Sequence, residues 1–252
     1  MSLLTESTHK YRPYNYRNQV RRRILAFFLV IIFLFLAYII VDHFLISSFA
    51  VKNEGMEPYL SIDDRVLATP LLYGPKIPFA NNRIRGFSSP RRGDIVIAEA
   101  GYADRPPVIY RILDTFIGFF TFQKVQILEN RSFSTPDPLV IKRILGLPGD
   151  TIRMDEYVMY IKPEGNKYFF HESELITGPF DILTEPLPEG WDDSFILSDH
   201  FDEVTLGSDE YFLIGDNRSA SLDSRHWGPV PGDHLLKRVV LKYWPFKEFN
   251  AP

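Results

Sequence analysis

Lys142 is the residue of this chain whose neighbours most favour unusual chemistry. It stands in Val140-Ile141-Lys142-Arg143-Ile144-Leu145, a β-branched apolar run that reads as a strand. A lysine in water, with a pKa of about 10.4, is almost wholly protonated at neutral pH and makes a poor base. Apolar surroundings disfavour the ammonium form, and the neutral amine can then take a proton from a hydroxyl. On local physics alone, a surface lysine on a strand edge is the better reading. Hydroxyls occur further along, at Ser219 and Ser221 in Gly215-Asp216-Asn217-Arg218-Ser219-Ala220-Ser221-Leu222-Asp223-Ser224-Arg225. On local physics alone the Gly-Asp-Asn opening of that segment is a turn. Asp223 and Arg225, two positions apart, could be any surface ion pair. The chain has no cysteine, which excludes disulfides, metal-thiolate sites and thiol catalysis.

The elements that must hold these residues read as mainly β. The Lys142 strand closes on Gly146-Leu147-Pro148-Gly149-Asp150, whose glycines and proline demand a tight turn. Strands are also predicted at Arg65–Ala68, Ile95–Ala98 after the Arg92-Gly93-Asp94 turn, Tyr157–Ile161, Tyr211–Ile214 and Val239–Trp244. Phe49–Leu60 reads as extended chain ending in a turn at Pro58, and residues 70–93 as a loop. Between 108 and 122, Ile109, Ile112, Leu113, Phe116, Phe119 and Phe120 share one helical face, bracketed by Arg111 and Lys124. That face could lie at a membrane–water interface or pack in a core. Residues 163–210 carry thirteen acids against one lysine. Asp192, Asp193, Asp199, His200, Asp202 and Glu203 could hold calcium, but without EF-hand spacing a solvated lobe is the better reading.

Ile24–Val41 is an unbroken apolar run with Arg21-Arg22-Arg23 at its N-terminal end and Asp42-His43 at the other. As a helix it spans about 27 Å, close to a bilayer's hydrocarbon thickness. Residues 1–23 carry six Lys/Arg against one Glu, so the positive-inside rule puts the N-terminus in the cytoplasm and the rest of the chain outside. A cleaved secretory signal ending at Ser48-Phe49-Ala50 is the alternative, but the run exceeds the usual apolar region of roughly 7–15 residues. The expected organisation is a basic cytoplasmic segment (1–23), a transmembrane anchor (24–46) and an exported domain (47–252) with an acidic inserted lobe at 162–210. The net charge of −4 argues against a nucleic-acid partner.

Ile141–Asp150 and Gly215–Arg225 resemble the lysine box and the GDN-x-S-x-D-S-R box of type I signal peptidases, membrane-anchored serine endopeptidases that use a Ser/Lys dyad. Arg92-Gly93-Asp94-Ile95-Val96 resembles that family's R-G-D-[IV]-V box. Asn53-Glu54-Gly55-Met56-Glu57-Pro58-Tyr59-Leu60 occupies the place of its Ser-Met-x-Pro-x-Leu box. Each box alone is weak, and their joint occurrence in order is specific. The resemblance implies a signal-peptidase-like exported β domain with an inserted second lobe. It also implies that Lys142 is the general base, Arg143 a supporting arginine, and Ser221 the serine that orients the lysine. Asp223 and Arg225 would brace the site as an ion pair. Met56, with Pro58 and Leu60, would pack beside the nucleophile. A eukaryotic-type relative would carry histidine at the lysine position, so a bacterial member is expected.

The departure lies at Gly55, which stands where the family has its nucleophilic serine and has no side-chain oxygen to form an acyl-enzyme. The Gly55 N–H and the Asn53 amide could still serve as oxyanion donors. Ser47, Ser48 and Ser61 are possible substitutes only with large displacements. The implied function is cleavage or binding of signal peptides of exported preproteins, with small residues at −1 and −3, at the outer face of the cytoplasmic membrane. The alternative is an inactive relative that binds signal peptides or assists an active paralogue. Membrane lipid is a further implied partner, and no metal or organic cofactor is implied.

Overall fold

The computed structural model describes residues 14–76, 83–100, 113, 116, 117, 119–121, 139–178, 180–184 and 200–248. The chain divides into two compact units, residues 1–40 and 41–252. The first contains helix α1 (Tyr14–Ile40). Arg, Gln and Asn extend the helix ahead of the apolar run because nothing there breaks it, and arginine and glutamine are good helix formers. Phe27, Phe33 and Leu36 are each more than half exposed, so no side of the helix is reserved for a protein core. Asn18–Leu45, a helical stretch of 28 residues containing an 18-residue window of mean hydropathy 3.3, is long and apolar enough to cross a membrane.

The second unit is built on two antiparallel sheets. The larger runs in the order β1 (Ser47–Ala50), β2 (Arg65–Thr69), β11 (Leu235–Trp244), β3 (Ile95–Glu99), β4 (Leu139–Gly146), β9 (Glu210–Ile214) and β10 (Val230–Pro231). The smaller runs β7 (Phe170–His171), β6 (Val158–Lys162), β5 (Thr151–Asp155) and β8 (Phe201–Thr205). The fold is therefore mainly β, with one apolar N-terminal helix among the described residues, as the sequence predicts.

Ile95, Val96, Ile97 and Ala98 are all buried. Ile95 and Ile97 join Val51, Met56, Leu60 and Val239 in one cluster, whereas Val96 and Ala98 join Ile144, Leu213 and Leu235 in another. The sheet is thus covered on both faces at its centre, which is why β3 reads as continuous rather than alternating apolar sequence. A third cluster packs Leu145, Phe212 and Ile214 against Ile152, Met154, Met159 and Ile161 of the smaller sheet. Fully burying each such side chain contributes about 1.5–3 kcal/mol.

Several elements differ from the sequence reading. Phe49–Leu60 is not uniformly extended: after β1 the chain makes a 3-10 turn at Glu54–Met56. The acidic segment contains β7, the short helix Glu172–Leu175 and β8, and its sheet already begins at Thr151. Phe116-Ile117 and Phe119–Thr121 are helical. The remainder of the predicted 108–122 helix, with Arg111 and Lys124, lies outside the described residues, as do Asp192, Asp193 and Asp199. Among the described residues no group of acids and histidines is arranged to hold a metal.

One buried ion pair ties the smaller sheet to the loop that follows β9. Arg218 Nη2 donates to Glu172 Oε2 at 2.7 Å, and both side chains are wholly buried. Glu172 Oε1 also accepts from the Met159 N–H at 3.0 Å. Glu172→Ala leaves the guanidinium buried without its counter-charge, at a cost of about 3–5 kcal/mol. The expected result is a lower urea midpoint for unfolding of the full chain in micelles. An unchanged midpoint would show that the pair contributes nothing.

Candidate active site

The turn that carries Gly55 forms because Asn53 caps it. Its extended backbone lets Oδ1 accept from the Gly55 N–H at 3.2 Å. The turn is closed by Glu57 N–H to Glu54 O at 3.0 Å and continued by Leu60 N–H to Met56 O at 2.9 Å. Met56 and Leu60 are buried in the cluster beneath it, which fixes the turn against the sheet. Gly55 O accepts from the Asn217 N–H at 3.3 Å. A Cβ on Gly215 would fall on the Gly55 carbonyl oxygen and on Ser221 Oγ. Glycine at 215 is therefore what lets the Gly55 turn and Ser221 approach this closely.

Lys142 reaches this junction from β4. Its side chain is 4% exposed, and Nζ donates to Ser221 Oγ at 2.6 Å. An ideal Cβ on Gly55 would lie 3.1 Å from Lys142 Nζ, 3.1 Å from Asn53 Oδ1 and 3.6 Å from Ser221 Cβ. Burial is the main influence on the amine and lowers its pKa to about 8. The Asp223 carboxylate opposes that shift, the Arg225 guanidinium adds to it, and Asp216 opposes it more weakly.

Asp223 and Arg225 form the ion pair implied by the sequence resemblance. Arg225 Nε donates to Asp223 Oδ1 at 2.8 Å and Nη2 to Oδ2 at 3.0 Å, a two-pronged contact with little exposure. Asp223 Oδ2 also accepts from the Gly215 N–H at 3.0 Å, and Arg225 Nη2 donates to Ser221 O at 3.1 Å. Burial pushes the Asp223 carboxyl up, but Arg225, Lys142 and the Gly215 N–H together outweigh it and hold it at about 2. It is an anion at any physiological pH and fixes the loop on both sides of Ser221.

Arg143 does not touch the lysine's partners. It points to Asp216, donating from Nε at 2.8 Å and Nη2 at 2.7 Å, and its guanidinium lies 5.5 Å from the Tyr59 ring and 5.3 Å from the Phe180 ring. The sequence places Asp216 only in a turn, whereas the structure makes it the buried counter-ion of Arg143. The signal was available in principle, since a buried strand arginine needs a carboxylate, but nothing local says which one. Arg218 and Glu172 escaped the reading for the same reason.

The hydroxyls of Ser47 and Ser48 are engaged elsewhere. Ser47 contacts Lys237 Nζ and the Asp42 carbonyl, and Ser48 Oγ lies 2.8 Å from Tyr243 Oη. The Ser61 N–H donates to Asp64 Oδ2 at 2.8 Å, in the turn that leads to β2. The Gly55 N–H, an oxyanion candidate from sequence, is occupied by Asn53 Oδ1 at 3.2 Å.

Comparison with known proteins bears on the same arrangement. The chain is 26% identical to the probable signal peptidase I-2 of Synechocystis sp., in a match covering 77% of this chain and 62% of that protein. It is 25% identical to signal peptidase I of Buchnera aphidicola, over 92% of this chain and 79% of the relative. To signal peptidase IB of Staphylococcus aureus it is 22% identical, over 92% and 95%. The model of the family described as signal peptidase, peptidase S26, matches residues 22–244. That span takes in both sheets, the Gly55 turn, Lys142 and the whole loop from Gly215 to Arg225, and on it the chain belongs to the signal peptidase family, peptidase S26.

Proposed function

We propose that this protein acts on the N-terminal signal peptides of exported preproteins, with Lys142 as the general base. The observation that carries the proposal is the enclosed Lys142 amine, 4% exposed and held by Ser221 Oγ at 2.6 Å beside the Gly55 turn. An amine with a pKa of about 8 is neutral in a useful fraction of molecules near pH 7–8. Ser221 orients it, and the Asp223–Arg225 pair holds Ser221 in place. Asp216 and Arg143 brace the strand behind. An oxyanion role for the Gly55 N–H requires the Asn53 carboxamide to turn away from it. α1 serves as a membrane anchor, with Arg21–Arg23 on the cytoplasmic side and residues 47–252 on the exported side.

The test is binding and cleavage of a fluorescent preprotein fragment with Ala-x-Ala before the cleavage point, using the full chain in detergent micelles. The expected result is saturable binding that is lost when both alanines become lysine. Binding indifferent to those two residues would overturn the reading. Binding without any product would identify a protein that captures signal peptides and does not cut them.

A further inference from the structure

The outer end of the membrane-crossing stretch is tied to the larger sheet. A helix cannot supply partners for its own last carbonyls. Here Lys237 Nζ, from β11, donates to Asp42 O at 3.0 Å and also contacts Ser47 Oγ, which donates to the same carbonyl. Thr69 Oγ1, at the end of β2, donates to Leu45 O at 2.6 Å, and His43 Nε2 lies 2.8 Å from Lys76 O. Val41–Leu45 and the sheet fall in one compact unit. Lys237 brings a charge, and a cation at the C-terminal end of a helix is favourable. Its ammonium also lies 5.3 Å from the Phe49 ring, while Ser48 Oγ lies 2.8 Å from Tyr243 Oη. Side chains of β11 thus reach past β2 to hold the edge strand β1 at Ser47, Ser48 and Phe49.

Lys237 is also in line with the candidate active site. Across the sheet it pairs with Ile97, and Ile97 pairs with Ile141, the residue before Lys142. Neighbouring strands lie about 4.8 Å apart, so β11 and β4 are about 10 Å apart at that level. On the other side, β1 runs from Ser47 to Ala50 and leads into the Gly55 turn. Gly55 comes ten residues after Leu45, a length that could reach roughly 33 Å if nothing held it. The grip on β1 removes that freedom. Resting on the function and membrane orientation proposed above, we propose that Lys237 is a positioning residue that fixes the height of the Gly55–Lys142 centre above the bilayer. It thereby sets how far beyond the apolar core of a signal peptide the Ala-x-Ala may lie.

The experiment places the full chain in phosphatidylcholine–phosphatidylglycerol vesicles. Fluorescent preprotein fragments are anchored in the same vesicles by their own apolar cores, and the spacer from core to Ala-x-Ala is varied residue by residue. A soluble fragment without the core serves as the control. The native chain is expected to bind one spacer length best, with affinity falling about tenfold when the spacer no longer lets bilayer and site be engaged together. In Lys237→Met that preference flattens to about threefold or less, while binding of the soluble fragment and the unfolding temperature are retained. Lys237→Arg keeps a charged donor and keeps the preference. A spacer preference unchanged in Lys237→Met overturns the proposal, as does a native chain that binds every spacer equally. Loss of soluble-fragment binding in Lys237→Met also overturns it, since the lysine would then only support the fold. Should Lys237→Met not fold, Ser47→Ala, which removes one partner of the same ammonium, must flatten the preference in its place, and an unchanged preference there overturns the proposal equally. A native chain that binds neither kind of fragment sinks the signal-peptide function itself.

Discussion

Lys142→Met is expected to abolish most of the cleavage and, at neutral pH, to leave the folded protein as stable as before or more so. One cause produces both effects. Burial, opposed by Asp223 and Asp216 and assisted by Arg225, brings the amine's pKa from 10.5 to about 8. Below pH 8 the folded and unfolded states both carry the ammonium, and only the folded state bears the cost of enclosing it. Between about pH 8 and 10.5 the folded state has released a proton that the unfolded state keeps, so stability rises with pH across that window. The penalty at pH 7 is on the order of 3 kcal/mol. Methionine is unbranched, apolar and adaptable, and it removes that penalty. It also strands Ser221 Oγ, a loss of about 1–3 kcal/mol. The net expectation is a gain of up to about 2 kcal/mol at pH 7 that disappears towards pH 10.5. Cleavage falls by about 10²–10⁴-fold with the base gone. In the native chain the rate should climb with pH and level off above about 8. Denaturant titrations and initial rates at several pH values measure both. A flat rate profile, or a stability difference between variant and native chain that does not fall from pH 7 to pH 10, would show that Lys142 is not a suppressed cation.

The way this site forms explains why part of it could be read from sequence. The enclosure of Lys142 follows from its neighbours: Ile144 and Leu145 are wholly buried, and the strand they belong to lies between β3 and β9. The turn at Gly146–Asp150 needs Gly149 in the left-handed region, at φ +83°, a requirement its composition announces. The 3-10 turn at Gly55 had a legible start in Asn53, a strong capping residue, but the apolar residues on either side favour an extended reading. β8 was hidden because Phe201-Asp202-Glu203-Val204-Thr205 has too few apolar residues to set a period. Its place comes from pairing with Thr151 and Ile152 and from packing of Phe201 and Val204 on the core. The ion pairs Arg143–Asp216 and Arg218–Glu172 join residues 73 and 46 positions apart. No local pattern selects such partners, because the choice is made by tertiary burial.

Gly55→Ser is expected to raise kcat by up to about a millionfold, the scale on which losing its nucleophile slows a comparable serine hydrolase. The backbone allows the change, since Gly55 does not occupy the left-handed region. The new Cβ would sit 3.1 Å from Lys142 Nζ and from Asn53 Oδ1, slightly closer than ordinary contact. The lysine terminus can retreat by the few tenths of an ångström required, because it is the far end of a flexible chain. The added hydroxyl then enters the space between the amine and the peptide and hands its proton to Lys142 Nζ. The chemistry changes with the rate. Quenched samples should now contain an enzyme species heavier by the signal peptide, esterified at the introduced hydroxyl and absent from the native chain. Lys142→Met in the Gly55→Ser background should abolish that species, because a protonated serine is a weak nucleophile without its base. If Gly55→Ser folds, binds preprotein and is no faster than the native chain, the lone pair of Lys142 does not face position 55. The amine would then have to serve a different atom.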